Sequence, residues 1–131
     1  MPDKAFDMVR SGHSALFRLF HRAILNRRQI VCIYQGHSRE ICPIILGHKD
    51  GVERALVYQF AGVGSRGPVK GEWKCLTLAE IKDAKTRHGP WRSGDKHRSQ
   101  QRCVDEVFID VNTEVPNQPG RRPELIAALK E

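Results

Sequence analysis

No stretch of the chain is apolar for long enough to cross a bilayer. Met1-Pro2-Asp3-Lys4 is not followed by the basic, apolar and small-residue regions of an export signal. These two absences predict a cytoplasmic protein with no membrane partner. The four cysteines, Cys32, Cys42, Cys75 and Cys103, include no pair at the two-residue spacing favoured by zinc sites and redox motifs. In a reducing compartment they are expected as small buried hydrophobes, with no metal bound. Signatures of catalysis are missing too. There is no Gly-x-Ser-x-Gly elbow, no phosphate-cradling loop ending in Gly-Lys-Ser/Thr, and no His-Glu-x-x-His. Gly62, Gly64 and Gly67 precede Pro68 and a strand rather than a helix, so they do not form a dinucleotide fingerprint. Neither an enzymatic activity nor a cofactor is expected.

What the chain has is length for one domain and an excess of positive charge. At 131 residues it can bury about two-thirds of its unfolded surface, enough to dispense with a stapling metal or disulfide. Lys and Arg number 22 against 15 Asp and Glu, a formal charge of +7. That balance favours anionic partners and solubility, and is silent on fold.

Apolar residues recur at three- and four-residue steps through Leu16, Leu19, Phe20, Ala23 and Ile24, which predicts an amphipathic helix over 14–28 capped by Ser14. Phe17 lies off that stripe and is a candidate exposed contact for dimerisation. The period then shortens. Strands are expected over Gln29 to Gln35, Arg39 to His48, Ala55 to Ala61, Glu72 to Leu78 and Val104 to Val111. Turns are expected at Gly36-His37-Ser38 and Asp50-Gly51, and a flexible loop from Gly62 to Gly71. Pro43 marks an edge or a bulge in its strand. Ala79 to Lys85 either continues the fourth strand or makes a helical turn. A three-residue first turn sets Cys32 across from Cys42, a buried thiol pair or, alternatively, a redox-sensing bridge. Residues 1–13 read as a flexible lead and 112–131 as a tail with a short helix over 123–128, Pro123 standing at its first position. One helix followed by five short strands without internal repeat makes 14–111 a single α+β domain, mainly β, built as a small barrel.

The run from Ala23 to Ala84 resembles the WYL domain family. The matching residues are Ile33-Tyr34, Arg39-Glu40-Ile41-Cys42-Pro43-Ile44, Gly51 before Ala55-Leu56-Val57-Tyr58, and Trp73-Lys74-Cys75-Leu76-Thr77-Leu78-Ala79-Glu80-Ile81. The chain departs from the family where the name-giving Trp-Tyr-Leu falls on Arg54-Ala55-Leu56. It departs again where the last strand's two arginines fall on Lys74 and Glu80. The resemblance implies a five-stranded SH3-like (Sm-like) barrel with an N-terminal helix, serving bacterial regulation by binding a ligand or nucleic acid. It further implies that basic residues at the Arg39 and Lys74 positions lie near a bound nucleotide or single strand.

Two groups of residues carry the functional expectation. At the barrel mouth, Arg39 and Lys74 would hold phosphate, Tyr34 or Trp73 would contact a base, and Glu80 reverses a charge in the same pocket. The plainer account makes Tyr34 and Trp73 core aromatics and the two cations solvated surface groups. The second group is the loop around Thr86 to Arg102, where Lys85, Arg87, Arg92, Lys96, Arg98 and Arg102 surround Trp91. The chain is thus expected to be a non-enzymatic regulatory module for a nucleotide or single-stranded nucleic acid. The alternatives are a protein-interaction subunit, including a homodimer or a regulator's partner, and a small-metabolite sensor.

Overall fold

The computed structural model describes residues 12–92 and 101–113, and two tight turns fix the register of its sheet. Gln35-Gly36 and Asp50-Gly51 each place two successive residues at positive φ (52° and 78°, 53° and 80°), the backbone that lets a two-residue hairpin follow the strand twist. They join β1 (Gln29–Tyr34), β2 (His37–Lys49) and β3 (Val52–Gly64). The second turn falls where the sequence puts it. The first lies earlier than the expected Gly36-His37-Ser38, so Cys32 faces Arg39 and not Cys42. Cys32 and Cys42 are separate buried thiols.

After β3 come β4 (Gly67–Pro68), β5 (Glu72–Thr77), a 3-10 turn (Leu78–Glu80), β6 (Ile81–Arg87), β7 (Glu106–Asp110) and a second 3-10 turn (Val111–Thr113). The order is β4-β3-β2-β1-β6, with β5 also on β3 and β7 also on β2, all antiparallel. Among the described residues the fold is mainly β with one α-helix, and the sheet curls as a half-barrel. The curl follows from partner exchange. The first part of β2 pairs with β1 through Ile41, and its last part pairs with β7 from Ile45. Pro43 stands in the gap between these neighbours, where no ladder bond needs its missing N–H, and the register against β3 slips beside it. It marks a bulge in a central strand.

Helix α1 (Ala15–Asn26) begins at Ser14, whose hydroxyl accepts from the Phe17 N–H at 3.1 Å. Ser14 also donates its N–H and its hydroxyl to Glu53 of β3, which fastens the helix start to the sheet. Arg27 ends the helix in the left-handed conformation, short of the expected Arg28. Phe17 corrects a second expectation: it is fully buried beside Phe20, Ala23 and Ile24. The helix is covered on a wider arc than its stripe indicates because β7 adds a wall, with Phe108 edge-on to Phe17 at 5.2 Å. One hydrophobic cluster joins these residues to Ile30, Ile41, Leu46, Val57, Leu76 and Leu78.

Two further expectations give way. The segment from Gly62 to Gly71 is not a featureless loop, since Val63 and Gly64 pair with Pro68 and Gly67 around a Ser65-Arg66 turn. Cys75 and Cys103 are not lone thiols but a disulfide. The segment before β7 reaches Cys75 by crossing close over β2, where a Cβ on Gly47 would overlap the Glu106 carbonyl and the Val104 side chain. No described helix is long and apolar enough to cross a membrane. The expected helix over 123–128 lies outside the described residues.

Candidate anion-binding site

The bulge that bends β3 also builds the site. Glu40 pairs with Ala61 and Ile41 with Gln59, leaving Phe60 without a partner, and the slip turns Gln59 inward. Gln59 is fully buried, donating its amide N–H to the carbonyls of Ala61 and Val63 and accepting from Arg39 Nη1 at 3.1 Å. Arg39 Nε and Nη2 donate to the Tyr34 carbonyl at 3.4 and 3.2 Å, and the guanidinium lies 5.3 Å from the centre of the Tyr34 ring. Arg39 is therefore 5% exposed and held by neutral acceptors, which overturns its reading as a solvated surface cation. Gly62 makes this possible: at φ +100° it lies so near Ser38 that a Cβ would overlap the Ser38 carbonyl.

Beyond the bulge, the Ser65-Arg66 turn and Val69 wall a cavity of about 280 Å³ closed by Glu72 and Lys74 of β5. Alternation along β5 sends Glu72 and Lys74 to one face, where they pair at 2.8 Å. The Glu72 carboxyl is held below its ordinary range chiefly by its hydrogen bond and ion pair with Lys74, with Arg66 and then Arg39 adding to the effect. Three cations from two strands and a turn thus act on one exposed carboxylate. Arg66 and Glu72 were missed at the sequence level. The signal for Arg66 was its place between Gly64 and Gly67, where a two-residue turn projects it.

The other expected members are dispersed. Tyr34 is buried, and its hydroxyl accepts from the Thr77 N–H at 3.1 Å, so its ring backs the sheet and offers no face to a base. Trp73 alternates to the opposite face of β5 from Lys74 and packs edge-on against Tyr58 at 5.4 Å. Glu80 is exposed at a separate, shallower cavity of about 480 Å³ with Ile33, Gln35 and Lys82, and it does not meet Arg39 or Lys74.

The basic loop is shorter than expected, since Lys85 and Arg87 belong to β6. Lys85 is exposed, but Arg87 is committed to Gln29 and to an ion pair with Glu40 at 2.8 Å. Trp91 is half-buried against the core with Arg27 5.8 Å from its ring. The Arg92 guanidinium lies 5.2 Å from the Phe60 ring. Arg102 is exposed, with its carbonyl accepting from Lys49. Lys96 and Arg98 lie outside the described residues. Among the described residues no group of three or more His, Cys, Asp or Glu side chains gathers as a metal site would require.

Fold and site together define a mainly β chain whose curled sheet gathers cations around a carboxylate at one rim. No protein-family model, no curated protein and no solved structure matches the chain.

Proposed function

We infer that this chain is a non-catalytic binding module for a phosphate-bearing ligand, a nucleotide or single-stranded nucleic acid, taken at the cavity beside the Ser65-Arg66 turn. The observation that carries the reading is the cavity in which Arg66 and Lys74 stand beside the Glu72 carboxylate, Lys74 pairing with it at 2.8 Å. Glu72 occupies the centre that a phosphate oxygen would take, so a ligand phosphate competes with it for Lys74 and Arg66. Arg39, fixed behind them, contributes field rather than contact. A guanidinium fork and an ammonium together match a phosphate group. The strand order β6-β1-β2-β3-β5 with a 3-10 turn before β6 supports reading these five strands as an SH3-like barrel, to which β4 and β7 are additions. WYL-family kinship, a regulatory role and a cytoplasmic setting belong to the same proposal. In that setting the Cys75–Cys103 bond is open to reduction.

The test is titration of a labelled oligo-dT and of ATP by fluorescence anisotropy. With two phosphate contacts, a fourfold rise in salt weakens oligonucleotide binding about sevenfold. The double variant Arg66→Ala/Lys74→Ala loses most of the affinity, and Glu72→Gln tightens binding several-fold because the competing carboxylate is gone. Absent binding, or affinity indifferent to both salt and Glu72→Gln, overturns the reading.

A further inference from the structure

A second cluster of cations lies where α1 ends against β6. Leu19, Arg22, Ala23, Asn26, Arg28 and Thr86 line a cavity of about 210 Å³ with no carboxylate among them. The helix end explains why two guanidiniums remain unspent there. Arg27 turns the chain, and its guanidinium donates to the carbonyls of Ile24 and Val111 while its own N–H also reaches Ile24. The Arg28 N–H takes the Ala23 carbonyl at 2.9 Å. Two of the terminal carbonyls, those of Ala23 and Ile24, are thereby capped. The Arg28 side chain has no such duty. Its Nε is buried without a hydrogen-bond partner, and neither its guanidinium nor that of Arg22 joins an ion pair among the described residues. Thr86 adds a hydroxyl that can donate from the strand side.

We propose that this joint is a second oxyanion site, which takes one doubly charged phosphate or sulfate group between Arg22 and Arg28. Two guanidiniums without an acid match a dianion in charge, and their forked donors match its tetrahedral oxygens. The orphaned Arg28 Nε–H is the donor such a group satisfies. Size limits the occupant, because whole metabolites fill cavities of about 300 Å³ or more. The site grips one group at the end of a ligand and leaves the rest outside. It shares no residue with the Arg66–Lys74 cavity, and it stands whether or not that cavity binds anything.

The experiment follows arginine Nε–H and backbone amide resonances by NMR while the full chain is titrated with inorganic phosphate or sodium sulfate. Sodium chloride at matched ionic strength is the control. Phosphate and sulfate should shift the Arg28 Nε–H and Thr86 amide signals saturably. Arg28→Gln should weaken this response at least about tenfold, while Lys74→Ala leaves it intact. Arg22→Gln, at an exposed position, serves as the variant that keeps the fold if Arg28→Gln does not. Dimethyl phosphate, a single-charged diester, separates the sources. A response equal to that of inorganic phosphate assigns the site to a nucleic-acid backbone and refutes the preference for a dianion, whereas a weaker one assigns it to a terminal phosphate or sulfate. Equal shifts with chloride, no shift, or a response lost in Lys74→Ala but kept in Arg22→Gln would overturn the proposal.

Discussion

Cutting the Cys75–Cys103 bond should lower stability by an amount that chain length sets. The bond spans 28 residues. Closing a loop of that size removes about 3.6 kcal/mol of conformational freedom from the unfolded chain at 25 °C, an upper figure because an unfolded chain retains some structure. The native side of the balance changes little in Cys75→Ser, since Cys75 is exposed and Cys103 remains a small buried thiol. For a domain of this size the loss corresponds to a fall in Tm on the order of 10–15 °C. The assay is calorimetry with and without a phosphine reductant, beside a thiol count in denaturant. The oxidised protein should yield two thiols, from Cys32 and Cys42, and four after reduction. In the folded state those two should resist alkylation near neutral pH, because burial pushes both thiols up, Cys32 to about 11. Four thiols without reductant, or a Tm indifferent to both reductant and Cys75→Ser, would refute the reasoning.

Two further outcomes are expected. Arg39→Met should destabilise the protein by about 1–3 kcal/mol in urea unfolding, because it strips the donors from Gln59 and the Tyr34 carbonyl inside the sheet. Arg39→Lys should not restore it, since one ammonium cannot span what three fork nitrogens reach, and an unchanged midpoint would count against a buried guanidinium. His13, stacked 3.9 Å from Phe17, is held below the ordinary histidine value of 6.5 first by burial and then by His48, with Glu53 pulling the other way. The unfolded chain then binds this proton more readily, so its contribution is complete above pH 6.5 and is lost as pH falls through the folded value. Urea midpoints should drop on acidification more steeply in the native sequence than in His13→Phe, and parallel curves would contradict the assignment.

What could be read from the sequence was local. Ser14 caps its own helix and Asp50-Gly51 turns its own hairpin, because each needs only neighbours within a few residues. The first hairpin shows how little error is tolerated. Moving the turn to Gln35-Gly36 replaces Cys42 by Arg39 opposite Cys32, and the expected thiol pair disappears. Phe17 looked exposed because the width of a helix's buried face is set by what surrounds it, and Phe108 comes from 91 residues further along the chain. The disulfide was hidden for a like reason: its partners meet only because the 101–104 segment crosses back over β2 toward β5.

Charge is the property this distinction touches most. A lysine or arginine is counted as available for a ligand until long-range pairing supplies it with an acceptor, and the sequence does not reveal which will be supplied. Arg39 meets Gln59 only through the slip at Phe60, and Arg87 meets Glu40 only because β6 and β2 flank β1. Both were candidate ligand contacts, and both are consumed by the fold. Arg66 escapes because a two-residue turn projects it outward, and Arg22 and Arg28 escape because the side chain of Arg27 takes the Ile24 carbonyl at the end of α1. Net charge therefore says that an anion is attracted, while the distribution of acceptors decides where it is held. On that argument the cations that matter are those the sheet leaves unpaired or pairs only with an exposed carboxylate, and the densest basic stretch of the sequence is no guide to them.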